Sequence, residues 1–243
     1  MIAIFKKEVI HFFGSLTGLI TIGVFLVVLG LIMWVLPDYS ILQSQYATMD
    51  QLFSIAPVVF IFLVPAITMR TFAEEHASGN FEMLSTKPLT LIEIVTGKYL
   101  ATLFLVVVVA IVPTVIYYYS LYQLGSPKGN IDSGEIAASY LALVLLSASF
   151  CAIGVFASSL TRNQIVAFLL GSFLCFFFHW TFFYLSRLEV FFGRWDDVVQ
   201  KIGIDYHYLS MSRGVLDTRD LVYFISFSAI FLLATVLSIS RRS

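Results

Sequence analysis

The chain has 243 residues, of which 59% are hydrophobic and only 12% are charged, with a mean hydropathy of +0.93 and a formal net charge of −1. Soluble domains carry about 25% charged residues, so this composition excludes a soluble globular domain and predicts an integral membrane protein. The near-zero net charge gives no electrostatic basis for binding nucleic acid.

Six apolar runs are long enough to cross a bilayer, since a hydrocarbon core of about 30 Å needs roughly 20 helical residues. The runs are continuous rather than alternating, which favours helices over a β-barrel. The predicted spans are residues 15–36, 51–71, 99–122, 135–158, 163–185 and 221–240. We therefore predict an all-α integral membrane fold that forms a single transmembrane domain over residues 1–243.

Residues 1–13 predict a separate amphipathic helix. Its apolar side chains share one face of a helical wheel, and they are Ile2, Phe5, Val9, Phe12 and Phe13. Lys7, Glu8 and His11 lie on the opposite face. We expect this interfacial helix to lie in the plane of the lipid headgroups. The alternative is that it extends the first span into the cytoplasm.

Lysine and arginine placement predicts the orientation, because cytoplasmic loops are enriched in these residues. With the N-terminus inside, the cytoplasmic side holds Lys6, Lys7, Arg70, Lys87, Lys98, Arg162, Arg241 and Arg242. Both termini are then predicted to be cytoplasmic.

Three helix starts are predicted from capping residues. Thr90 and Glu93 have capping-box spacing directly after Pro88, which cannot continue a helix. Asp132 and Asp217 are in position to cap the fourth and sixth spans. The fourth span is also rich in Ala, Ser and Gly, which allow close helix approach and predict a place inside the bundle.

The outer segment, residues 186–220, is too apolar for an ordinary loop. We predict short re-entrant helices that dip into the outer leaflet before the last span. The alternative is an extramembrane cap held by its aromatic side chains.

The charged coupling region, residues 72–98, is the main functional candidate. Arg70, Glu74 and Glu75 lie within a few helical turns of the membrane edge. After Gly79, Asn80 can cap a short helix that offers apolar side chains and the charged Glu82 to a groove on a partner. These apolar side chains are Phe81, Met83 and Leu84. The alternative is a solvated loop in which an Arg70–Glu74 pair only stabilises the helix end.

Signatures of enzyme chemistry are missing from the sequence. Glu74-Glu75-His76 resembles the paired glutamates of intramembrane CAAX-type proteases, but Gly79 stands where that motif requires Arg. A phosphate-binding loop is also absent, so we expect no ATP hydrolysis by this chain. His179, inside an apolar run, is interpreted as a packing residue, since no spanning carboxylate accompanies it for proton transfer. Cys151 and Cys175 are interpreted the same way.

Several segments together resemble the ABC-2 type transporter permeases. Arg70, Glu74 and Glu75 match the family's Arg-(x)3-Glu-Glu element. Residues 79–84 match Gly-Thr-x-Glu-x-Leu, with Asn80 in place of Thr, and residues 86–88 match Thr-x-Pro. Gly97-Lys98 matches the Gly-Lys element. The resemblance extends over nearly the whole chain, and within the family it is greatest to the gliding-motility-associated permease of Bacteroidetes-type bacteria.

The resemblance implies a bacterial inner-membrane permease that works with separate ABC ATPase subunits and a second membrane subunit. ATP and Mg²⁺ would be bound by the ATPase, and no cofactor by this chain. The implied ATPase-coupling residues are Arg70, Glu74, Glu75, Gly79, Phe81, Glu82, Leu84, Pro88, Lys98 and Arg162. The implied outer gate comprises Trp195, Tyr206, His207 and Gly214. A stand-alone secondary transporter or a force-transducing scaffold are the alternatives.

Overall fold

The structure is a computed structural model that describes residues 1–36, 40, 48–79, 90–125, 131–189, 193 and 195–241. Within these ranges every regular element is helical, which confirms the predicted all-α class. The helices are α1 Ile2–Gly14, α2 Leu16–Trp34, α3 Asp50–Thr68, α4 Arg70–Ser78, α5 Leu91–Leu124, α6 Ser133–Ser159, α7 Gln164–Ser186, α8 Asp196–Gln200, α9 Ile204–Met211 and α10 Thr218–Ser240.

The described helices include five that are long and apolar enough to cross a membrane: α3 with its continuation α4, α5, α6, α7 and α10. The pair α1 and α2 makes a sixth candidate if it counts as one span, although its two halves bend by 69°. The chain is therefore a multi-pass membrane protein, as its composition predicts.

The helix α1 does not continue α2 in a straight line. Ser15 between them has an extended backbone, and its side chain accepts a hydrogen bond from the amide of Gly18. Ile4, which the wheel did not place on the apolar face, is 7% exposed and packs with Phe72 and Ile94. Ile2 remains 69% exposed and free to contact lipid. One face of α1 thus packs on the protein, and the position of the helix in the headgroup plane stays a prediction.

The three predicted caps are confirmed. Thr90 Oγ1 accepts from the amide of Glu93, and the Glu93 carboxylate accepts from the amide of Thr90, which forms a complete capping box. Asp132 caps α6 and Asp217 caps α10 through their side-chain oxygens. Each helix therefore begins where its local sequence predicts.

The helix α6 lies at the centre of the bundle, where it packs against α3, α7 and α10. Its buried small side chains include Ala142, Ala152 and Ala157, each fully inaccessible. Cys151 on α6 and Cys175 on α7 are also buried and free. The predicted interior place of this small-residue helix and the packing role of both cysteines are confirmed.

The outer segment contains the short helices α8 and α9. Ile204, Tyr208 and Met211 of α9 are buried, and the Tyr208 hydroxyl donates to the Phe53 carbonyl at 2.6 Å. The helix α9 therefore packs against α6, α7 and α10, and Tyr208 links it to the end of α3 that faces the predicted outer side. Its insertion into the outer leaflet remains a prediction.

Candidate functional site

A buried charge cluster joins α1, α4 and α5 on the predicted cytoplasmic side. At its centre is Lys98 of α5, whose side chain is 1% exposed. Lys98 Nζ lies 2.8 Å from Glu8 Oε1 of α1 and 3.0 Å from Glu75 Oε2 of α4, and it also donates to the carbonyl of Thr71. A buried ammonium needs such partners, since an unpaired charge away from water is strongly unfavourable. One lysine thereby ties three helices together.

Glu75 carries a second contact to α1. Its other oxygen, Oε1, accepts from Lys7 Nζ at 2.8 Å. Burial lowers the pKa of Lys7, but its hydrogen bond to Glu75 and the surrounding carboxylates more than compensate, and the pKa is raised above its ordinary value. We define the charge cluster as Lys7, Glu8, Glu75 and Lys98, in which two lysines and two glutamates balance.

A cavity of about 320 Å³ opens beside the charge cluster, between α1 and α4. Its wall consists almost entirely of polar side chains, and these are Lys7, Glu8, His11, Arg70, Thr71, Glu74, Glu75 and Ser78. Its mixed charge suits polar groups of both signs. The cavity is therefore a water-accessible, hydrogen-bonding recess at the end of the second span.

Arg70 and Glu74 do not form the pair that their spacing suggested. Glu74 instead faces His11 Nε2 of α1 at 3.8 Å. The Nε atom of Arg70 is buried and makes no hydrogen bond within the described ranges. The alternative interpretation of the coupling region depended on an ion pair between Arg70 and Glu74, and that ion pair is not formed.

The remaining predicted coupling residues divide into three groups. Gly79 ends α4 in a left-handed conformation with φ of 71°, which glycine adopts without the steric cost of a side chain. Arg162 is exposed in the short turn between α6 and α7. Four further predicted residues lie outside the described ranges, and these are Phe81, Glu82, Leu84 and Pro88. The predicted coupling helix therefore remains a prediction.

The predicted gate residues occupy different environments. His207 is 9% exposed, and its Nδ1 lies 2.6 Å from Asp220 Oδ1 of α10. Its other ring nitrogen lies 2.9 Å from the carbonyl of Lys201, so His207 holds α9 against the start of the last span. Gly214, with φ of 83°, lies against Glu135 of α6 instead. Trp195 is 53% exposed, and Tyr206 contacts His207 through its ring.

His179 has a carboxylate near it after all. Its Nε2 lies 3.7 Å from Asp205 Oδ1, which comes from the outer segment rather than from a span. Its Nδ1 is buried without a hydrogen-bond partner among the described residues, and its ring meets Phe150 edge-on. Asp205 lies outside the spans, so the expectation that no spanning carboxylate accompanies His179 is not contradicted. A fully satisfied packing histidine is not what the structure shows.

We expect the folding stability of the chain to depend on pH through Asp205. Burial raises the pKa of Asp205 from 3.8 to about 6. The folded chain therefore binds more protons than the unfolded chain between these values, and its stability falls as the pH rises through this window. Asp205→Asn, which stays neutral, should raise the thermal unfolding midpoint at about pH 7.5 and leave it unchanged near pH 4.

The matched control for this prediction is Glu189→Gln, which removes an exposed carboxylate from the same outer segment. It should leave the pH profile of the unfolding midpoint as in the wild type. An Asp205→Asn chain that still lost stability between about pH 4 and pH 6 as the wild type does would show that Asp205 is not the responsible group.

Sequence reasoning missed the α1 side of the charge cluster. Lys7, Glu8 and His11 were placed on the polar face of α1, but their partners are distant in the chain. Lys7 and Glu75 are 68 positions apart, and Lys98 and Glu8 are 90 apart. The available signal was four ionisable residues, Lys6, Lys7, Glu8 and His11, within six positions of an otherwise apolar helix, which is more charge than a lipid-facing helix needs.

The central part of the chain matches a known protein family. The family model described as "ABC-2 family transporter protein" matches residues 37–203, which extend from before α3 to the end of α8. No curated protein matches the chain. The matched region includes α4 and Lys98, and it leaves α1, α2, α9 and α10 outside.

Proposed function

The chain belongs to the ABC-2 family of transporter proteins, and we propose that it is the membrane-spanning permease subunit of an ATP-driven transporter of the gliding-motility type. In this proposal a separate ABC ATPase binds ATP and Mg²⁺ and performs the hydrolysis. The chain itself binds no cofactor and supplies the membrane path that ATP hydrolysis drives, for export or for assembly of the envelope.

The observation that carries the proposal is the charge cluster at the base of the predicted docking segment, which we define as residues 80–89 between α4 and Thr90. Helix α4 ends at Gly79, directly before the segment expected to contact the ATPase. Eleven positions after Gly79, Thr90 caps α5, which carries Lys98. Both ends of the docking segment are therefore anchored in helices that Lys98 and Glu75 join at 3.0 Å. Force applied to this segment would reach both helices and, through Glu8, the helix α1.

The proposed assembly places the chain in a bacterial inner membrane with both termini in the cytoplasm, beside a second membrane subunit. The predicted distribution of Lys and Arg supports this orientation. We expect α2 to contact lipid or the second subunit, because its apolar side chains Leu19, Val27 and Leu31 are each more than half exposed. Exposed apolar side chains on a spanning helix require an apolar neighbour, either lipid or protein.

The experiment that tests the proposal reverses one charge in the docking segment. Glu82→Lys should reduce the amount of ABC ATPase that remains bound when the tagged chain is purified with its partners in mild detergent. A charged group facing a partner of opposite sign becomes repulsive when it is reversed, which costs at least about tenfold in affinity.

The control is Glu189→Lys, an equivalent reversal at an exposed position on the predicted outer side. This variant should retain the ATPase at the wild-type level. If Glu82→Lys and Glu189→Lys retained equal amounts of the ATPase, Glu82 would be excluded from the docking contact.

A further inference from the structure

The second span is interrupted at Met69, where α3 ends and α4 begins. Phe72 and Ala73 lie in the first turn of α4, where helix amides lack a full set of partners within the helix. Here both amides donate to Ser158 Oγ of α6, each at 3.0 Å. The Ser158 hydroxyl in turn donates to the carbonyl of Met69 at 2.9 Å. One side chain from the fourth span thus satisfies three backbone groups at the break.

The residues around this contact are buried. Thr71 Oγ1 donates to the carbonyl of Thr68 at the same break. Thr68 and Ser158 are 0% exposed and Thr71 is 4% exposed. The Ser158 hydroxyl is therefore shielded from bulk solvent, and buried backbone groups left without a partner are strongly unfavourable.

A close approach of the two helices holds Ser158 in place. Gly154 lies one helical turn before Ser158 on the same face of α6. A Cβ atom at Gly154 would lie 2.0 Å from Thr68 Oγ1, so only glycine permits this separation. The contact therefore fixes the cytoplasmic end of α6 directly against the junction of α3 and α4.

We propose that Ser158 is a positioning residue that locks α4 to α6, so that movement of the docking segment reaches the fourth span directly. The inference rests on the proposed function, because it assumes that an ATPase acts on the residues that follow α4. Helix α4 then has two attachments: the charge cluster joins it to α1 and α5, and Ser158 joins it to the buried centre of the bundle. Ser158 acts through the backbone of α4 and touches no partner itself.

The first test measures backbone amide hydrogen exchange in the purified chain, reconstituted in lipid nanodiscs without an ATPase. In Ser158→Ala the amides of Phe72 and Ala73 should exchange at least about tenfold faster, since both lose their bond to the Ser158 hydroxyl. Ser158→Cys keeps the volume with a weaker hydrogen-bonding group and should give an intermediate rate. Wild-type exchange at these amides in both variants would overturn the proposal.

The matched control is Ser147→Ala. Ser147 is on the same helix and is also 0% exposed, but its hydroxyl donates to the carbonyl of Leu143 within α6. Its loss should leave exchange at Phe72 and Ala73 unchanged. If the amides of Phe72 and Ala73 exchanged as fast in Ser147→Ala as in Ser158→Ala, the proposal would also be overturned. Such a result would reflect general loosening of α6.

The second test uses the complex with its ATPase, trapped with ATP and vanadate. Trapping should alter amide exchange in α6 of the wild type, and Ser158→Ala should lose most of that response while it still binds the ATPase and hydrolyses ATP. If trapping changes α6 amide exchange equally in the variant and the wild type, or changes nothing in the wild type, Ser158 does not transmit movement from α4 to α6. If the wild-type chain retains no ATPase, the proposed function fails, and exchange in the chain alone still decides whether Ser158 holds α4.

Discussion

Lys98→Met is expected to destabilise the chain by about 3 kcal/mol, because it breaks a buried ion pair by removing one partner. Lys98 is 1% exposed and contacts Glu8 and Glu75, and only Glu75 has a second lysine, Lys7. Glu8 is left in a largely buried position without its cation. The free energy of unfolding, measured by denaturation in mixed micelles, reports the loss directly.

Two further variants make this prediction specific. Adding Glu8→Gln to Lys98→Met should recover part of the stability, since it neutralises the carboxylate that lost its partner. Lys201→Met removes an exposed lysine paired with Asp197 four positions away and should change stability little. If Lys98→Met were as mild as Lys201→Met, Lys98 would not be the centre of the cluster.

Gly154→Ala is expected to destabilise the chain by about 3 kcal/mol, although replacing glycine by alanine inside a helix usually increases stability. In a helix interior alanine is normally more favourable than glycine by about 0.5–1 kcal/mol. At Gly154, however, the new Cβ would lie 2.0 Å from Thr68 Oγ1 and 2.9 Å from Thr68 Cβ. The α3 and α6 backbones must separate to admit it, and overpacking of this kind costs about 1–3 kcal/mol or more.

The comparison that checks this result is Gly23→Ala in α2, where a Cβ would meet nothing within 4 Å. That variant should leave the isolated chain as stable or make it more stable. Adding Thr68→Ala to Gly154→Ala should restore part of the stability, because it removes the closer of the two contacts. A neutral Gly154→Ala would mean that α6 and α3 do not approach as closely as the structure shows.

The parts of the fold that the sequence predicts are those determined by local chemistry. Continuous apolar runs predict spanning helices because every backbone polar group in lipid must be bonded within its own segment. Thr90 with Glu93, Asp132 and Asp217 predict helix starts because each side chain bonds an amide two or three positions away. These contacts are decided by neighbours in the chain, so they could be predicted without the tertiary structure.

The candidate site was predicted only in part, because its contacts join distant segments. Glu75 and Lys98 were identified from their motifs, but Lys7 and Glu8 were placed only on the polar face of α1. A helical wheel shows that charges share a face and cannot show what lies opposite them. The break at Met69 was missed for the same reason: its missing backbone bonds are supplied by Ser158, 89 positions later.

The most direct test of the account is affinity purification of the unaltered chain from its native membrane in mild detergent, followed by identification of the copurifying proteins and an assay of ATP hydrolysis. We predict that an ABC ATPase copurifies with the chain and that the complex hydrolyses ATP. A homogeneous chain that is stable and active in membranes without any ATPase would contradict the account. That result would favour a stand-alone secondary transporter or a scaffold.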